Sequence, residues 1–173
     1  MGVAGSGKSV QGRMLADEKG YPWLSTGEFL RMLISGQKRK DMLHGKLISD
    51  KEMLQIVQKI FSMVDVSQEF VLDGFPRTSE QADWLVNQVK HGLLKISAVL
   101  HIQASEEVVR DRLLGRGRPD DHDDAIAHRF KEYQGAILPI LEQFKQAGIR
   151  VFEINGEQDV LLVHKEIMGV LPE

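Results

Sequence analysis

The chain has 173 residues, of which 42% are hydrophobic and 27% charged, with a formal net charge of -3. This is the length and balance of one globular domain able to bury a core without staples. The absence of cysteine excludes disulfides and thiolate metal sites. No apolar run approaches the ~18 residues of a membrane span, no signal or transit peptide opens the chain, and the mild acidity speaks against a nucleic-acid partner.

In chain order, the first signal is Gly2-Val3-Ala4-Gly5-Ser6-Gly7-Lys8-Ser9, which fits the pattern G-x-x-x-x-G-K-[ST]. Its glycines let backbone N–H groups converge on a phosphate. The helix expected over Lys8–Glu18 adds its positive end. Lys8 supplies a point charge to the outer phosphates, and Ser9 is a candidate Mg²⁺ ligand. Such a loop ordinarily follows a buried strand, yet only Met1 precedes Gly2 in the sequence as given. The middle strand of the sheet is therefore expected to be missing or supplied by another segment. Stability and activity are expected to suffer unless a short apolar strand is restored before Met1.

A short apolar strand is predicted at Trp23–Ser25, and Ser25 with Glu28 predicts a capped helix start directly after it. Arg31 to Leu54 reads as a helical excursion without a strand. Ser49 and Glu52 form a capping box for a helix from about Lys51 to Val64, where Met53, Ile56, Val57, Ile60, Phe61 and Val64 share one face. A strand at Phe70–Asp73 runs into Gly74-Phe75-Pro76-Arg77-Thr78, and Thr78 with Gln81 marks the next helix. Strands at Ile96–Ile102 and Ile149–Ile154 and helices near Ser105–Leu114, Asp121–Gln146 and Asp159–Val170 complete the pattern. Strand–helix alternation predicts an α/β fold whose parallel sheet carries helices on both faces. Arg110 to Arg118 holds four arginines, a local cationic cluster suited to a small anionic ligand. His44, His122 and His128 lack the spacing of metal ligands and read as surface residues.

Four segments join the phosphate loop in a fixed order. They are Ser25-Thr26-Gly27-Glu28-Phe29-Leu30-Arg31, Gly45-Lys46-Leu47-Ile48-Ser49-Asp50, Asp73-Gly74-Phe75-Pro76-Arg77-Thr78 with Gln81, and Arg116-Gly117-Arg118-Pro119-Asp120-Asp121 with Arg129. Together they resemble the adenylate kinase family over almost the whole chain, and the Asp73–Arg77 segment is the most telling. The resemblance implies a P-loop NTPase fold in one kinase domain over 1–173. An AMP-binding helical insert would lie at about 25–54 and a short lid loop at about 114–124.

The resemblance also implies roles. Gly5, Ser6, Gly7, Lys8, Ser9 and Val10 would bind ATP with Arg116, Gly156 and Gln158. Thr26, Arg31, Lys46, Leu47, Ile48, Gly74, Arg77, Gln81, Arg118 and Arg129 would bind AMP, with Gln81 reading the adenine edge. On local sequence alone Gln81 serves equally well as the capping partner of Thr78. Lys8, Asp73, Arg77, Arg116, Arg118 and Arg129 would carry catalysis. Mg²⁺ would be held through phosphates and water, with Ser9 and Asp73 nearest. The expected partners are ATP and AMP, with no nucleic acid and no membrane, and the chain is expected to be a cytoplasmic monomer.

Three departures from the family pattern stand out. Val10 replaces a threonine and offers no hydroxyl, Glu28 replaces the usual aspartate, and the lid is short, with only Gly117 between Arg116 and Arg118. UMP/CMP kinases tend to carry Ala and Asn where Thr26 and Thr78 stand, so both positions favour AMP. A gluconate-kinase-type enzyme shares the phosphate loop but not the Asp73–Thr78 segment. A nucleotide-binding protein without turnover is the reading from another class, prompted by the strand and by Val10.

Overall fold

A computed structural model describes residues 1–43, 48–118 and 121–171. In chain order its elements are α1 (Lys8–Lys19), β1 (Trp23–Ser25), α2 (Thr26–Leu33), α3 (Gly36–Leu43), α4 (Asp50–Phe61) and β2 (Val71–Asp73). There follow α5 (Ser79–Lys90), β3 (Val99–Gln103), α6 (Glu106–Arg116), α7 (Asp123–Gln146), β4 (Val151–Asn155) and α8 (Val160–Val170). This is the α/β alternation the sequence predicts, and among the described residues between Arg31 and Leu54 there are helices and no strand.

All strand pairing is parallel. β1 lies beside β2 with Trp23 opposite Val71 and Ser25 opposite Asp73. β3 lies beside β4 with Val99 opposite Val151 and Gln103 opposite Asn155. Among the described residues these are two separate ladders. Between them runs a cavity of about 470 Å³, lined by Leu15, Leu72, Phe75, Leu85, Leu100 and Phe144 among others. It reaches exposed Ser67, Gln68 and Lys95.

Caps explain where the helices begin. Ser49 Oγ accepts from Glu52 N, and Thr78 Oγ1 accepts from Gln81 N at 3.3 Å, as the capping boxes predict. Ser25 does not cap α2. Its hydroxyl turns inward to donate to Asp73 Oδ2 at 3.3 Å, while Glu28 is drawn to Arg31. A buried carboxylate competes better for the hydroxyl than a helix-end N–H does. The last predicted strand starts late because Ile149 N still donates to Phe144 O at 2.9 Å, closing the end of α7.

The core lies on both faces of the strands. On one face α4, α5 and α7 contribute Val57, Leu85, Ile140 and Phe144. On the other, α1 and α8 contribute Leu15, Val163 and Ile167 against Ile102 and Ile154. A third cluster, Val3, Val109, Leu113, Ile126 and Phe130, ties the first loop to α6 and α7. Helices packed this way fix the C-terminal ends of the strands, where the functional segments gather. Among the described residues, no helix is long and apolar enough to cross a membrane.

Candidate active site

The phosphate loop is anchored at Val3, which is buried against α6, and tightened where Ser6 N donates to Val3 O at 3.2 Å. Gly7 (φ 96°) turns the chain into α1 through the left-handed region, which a residue with a Cβ enters only at a cost. The first turn of α1 has no acidic residue, so its positive end is unmasked. Gly156, between β4 and α8, presses on the loop: a Cβ there would lie 2.7 Å from Ser6 O and 2.5 Å from Ile102 Cγ2. Arg112 holds that turn by donating to Gly156 O at 2.7 Å.

Lys8 is half-buried and donates to Val3 O at 3.3 Å. Burial pulls its pKa down to about 8, Asp73 opposes this, and Arg77, Arg116 and Arg31 push it further down. That these three guanidinium groups act on Lys8 shows that distant segments converge here. Arg77 donates Nε–H to Gly74 O at 2.8 Å. Its pKa is lowered chiefly by burial, with Asp73 opposing and Arg129 and Arg31 adding to the shift. This many cationic groups gathered in a poorly solvated place are costly to hold together and become favourable around a polyanion.

Asp73 ends β2 beside the loop. One of its oxygens, Oδ2, accepts from Ser9 Oγ at 2.7 Å and from Ser25 Oγ at 3.3 Å. Thr26 Oγ1 donates to the Asp73 carbonyl at 3.3 Å. Ser9 and Asp73 thus offer adjacent hard oxygens, which fits a divalent cation that takes its remaining ligands from phosphate and water. Among the described residues no group of three or more His, Cys, Asp or Glu could hold a metal.

Carboxylates brace the other arginines. Asp121 is fully covered and accepts from Arg116 Nε and Nη2 at 2.7 and 2.6 Å, with Arg129 Nη1 3.9 Å away. The Arg118 backbone N also donates to it, at 3.2 Å. Glu28 joins Arg31 at 2.6 Å to Arg118 at 3.7 Å. The Arg31 hydrogen bond holds the Glu28 carboxyl below its usual range. Asp121 was legible only as part of a motif, since no local rule says that one aspartate serves two arginines. Asp121→Asn is expected to lower stability by about 3 kcal/mol, the loss for one partner of a buried pair. It should reduce kcat as well, because Arg116 and Arg129 lose their common brace. Thermal unfolding and steady-state rates check this.

Residues 1–149 match the family model described as adenylate kinase. The chain is 36% identical to an adenylate kinase from Corynebacterium urealyticum, with 92% of this chain and 90% of the relative covered. It is 37% identical to one from Prochlorococcus marinus strain MIT 9211, over 99% of this chain and 94% of the relative. It is 38% identical to one from Mycobacterium tuberculosis strain H37Ra, over 92% and 91%.

The chain belongs to the adenylate kinase family.

The remaining residues singled out by the adenylate kinase resemblance are less directly engaged. Gln81 is buried, with Oε1 accepting from Arg77 N at 2.8 Å and Nε2 donating to Asp50 Oδ1 at 2.7 Å. It ties the loop that carries Arg77 to the start of α4. Gln158 donates to Glu166 Oε2 at 2.7 Å and to Asn155 O at 3.2 Å, which steadies the turn that carries Gly156. Ile48 packs half-buried against the main core. Val10 is exposed at the start of α1. Lys46 and Leu47, with His44 and Gly45, lie outside the described residues. Arg110 is exposed and pairs with the exposed Asp123 at 3.0 Å.

Proposed function

We infer that the chain catalyses reversible phosphoryl transfer from Mg-ATP to AMP, giving two ADP. The observation that carries this reading is the convergence of Lys8, Arg31, Arg77 and Arg116 beside a phosphate loop whose helix end carries no acid. The two substrates bring about six negative charges together, and phosphoryl transfer asks a protein mainly to position and neutralise them. In this reading the loop N–H groups and Lys8 hold the ATP phosphates. Arg31 and Arg77 hold the AMP phosphate in line. An oxygen of the AMP phosphate attacks the γ-phosphorus, and the bond from that phosphorus to the β,γ-bridging oxygen breaks. Arg116, Arg118 and Arg129 cover the oxygens on which charge is redistributed.

Ser9 and Asp73 would hold Mg²⁺, Asp73 through water, and the ion would neutralise β- and γ-phosphate oxygens when bound. Gly156 and Gln158 would flank the ATP base. Thr26, Lys46, Leu47, Ile48, Gly74 and Gln81 would receive AMP. The chain would then be one P-loop kinase domain over 1–173, with an AMP-binding insert at about 25–54 and a lid loop at about 114–124. It would act as a monomer in the cytoplasm.

AMP is expected to be the preferred acceptor, because Thr26, Thr78 and Gln81 match the adenylate pattern. A site built to hydrogen-bond one base rejects others by leaving its polar groups unpaired. Comparing kcat/KM for AMP, CMP and UMP tests this, and equal or better use of CMP would refute it.

A further inference from the structure

The start of α4 carries a carboxylate with no role in the proposed reaction. Asp50 Oδ1 accepts from Thr78 Oγ1 at 2.8 Å and from Gln81 Nε2 at 2.7 Å. Thr78 Oγ1 in turn accepts from Gln81 N at 3.3 Å, and Gln81 Oε1 accepts from Arg77 N at 2.8 Å. This network has one sense only. A backbone N–H donates and a carboxylate accepts, so the Gln81 amide must turn its oxygen to Arg77 and its nitrogen to Asp50. With both ends of its amide held and the side chain only 1% exposed, Gln81 serves chiefly to hold Asp50 and the Arg77 loop in place.

Asp50 itself is half-buried and only half engaged. Its second oxygen, Oδ2, accepts no hydrogen bond among the described residues and is not sealed from solvent. A partly desolvated carboxylate oxygen in this position favours a donor from a ligand. Nucleoside monophosphates all bring the same phosphate to Arg31 and Arg77, so those arginines cannot tell one base from another. The exocyclic group of the base can. We propose that Asp50 selects the acceptor base: its Oδ2 accepts from the 6-amino group of a purine and repels a 6-keto oxygen. Carboxylates read the amino groups of bases in the same way elsewhere. The inference rests on AMP being the acceptor, and it names the side chain that makes the choice.

The network also supplies a decisive variant. In Asp50→Asn, Thr78 and Gln81 still donate toward the Oδ1 position, so the new amide must keep its oxygen there. Its nitrogen then takes the place of Oδ2, and an acceptor becomes a donor without disturbing the fold around it. AMP and inosine 5′-monophosphate share ribose and phosphate and differ at position 6 and the adjoining ring nitrogen. Calorimetric titration of the parent chain and of Asp50→Asn with each nucleotide gives the Kd values, with Tm measured in parallel. The parent should bind AMP at least about tenfold more tightly, the size of one hydrogen bond to a charged group. In Asp50→Asn that preference should vanish or invert, because AMP binds more weakly and inosine monophosphate more tightly. A merely structural residue would not produce the gain. An unchanged ratio, with both affinities falling together, would overturn the proposal. So would a parent chain that binds purine riboside 5′-monophosphate, which has no group at position 6, as tightly as AMP. ADP formation from Mg-ATP and AMP on the same samples keeps the two readings apart. Turnover with an unchanged ratio removes only the role of Asp50, and a shifted ratio without turnover supports that role and removes only the reaction.

Discussion

Arg77→Ala is expected to lower kcat by on the order of 10³-fold, with the fold retained. Removing an arginine that neutralises a transferring phosphoryl group has effects of this size, which corresponds to roughly 4 kcal/mol of barrier. The guanidinium is fixed by its bond to Gly74 O and crowded by Arg129 and Arg31. Its charge therefore contributes most when anionic oxygens face it, and truncation removes position and charge together. Arg118→Ala is expected to act in the same range. Arg110→Ala is the control, since an exposed pair like Arg110–Asp123 is worth little. Steady-state rates with Tm measured in parallel check the set. An Arg110→Ala defect as large as the others would mean that the basic cluster is sorted wrongly.

The second large effect belongs to Lys8. Lys8→Met should lower kcat by about 10²–10³-fold, the range for losing one donor to developing negative charge. The same residue should make ATP binding depend on pH. Burial first, and the neighbouring arginines after it, hold the Lys8 pKa at about 8. Phosphate oxygens favour the charged amine, so the pKa is higher in the complex. The affinity contributed by the lysine charge is then fully present below pH 8. It is lost as pH rises from 8 toward the value in the complex, by up to about tenfold per unit. Titrating ATP affinity between pH 7 and 9.5 should show this weakening in the parent chain and a flat profile in Lys8→Met. A flat profile in both would mean that Lys8 stays charged throughout.

Much of this site is legible in the sequence because its parts are local. The spacing of Gly2, Gly7 and Lys8 encodes the phosphate loop, and the Ser49 and Thr78 caps encode two helix starts. Short apolar runs encode the strands, with β1 at the predicted bounds. What could not be read depends on which side chains the fold brings together. Ser25 looks like a cap until Asp73, across the ladder, takes its hydroxyl. Glu28 looks like a first-turn acid until Arg118, from the far half of the chain, lies near it. Asp121 looks like one charge among many until Arg116 and Arg129 both turn to it. The strands predicted at Phe70–Asp73 and Ile96–Ile102 begin later, at Val71 and Val99, since a ladder starts where its partner starts: Val71 lies opposite Trp23 and Val99 opposite Val151.

The most direct test of the account is ADP formation by this chain from Mg-ATP and AMP, with binding of each nucleotide measured on the same sample. The account predicts two ADP formed for each AMP consumed, with no ADP formed when AMP is omitted. Tight binding of both nucleotides without ADP formation would contradict it and leave a nucleotide-binding protein without turnover.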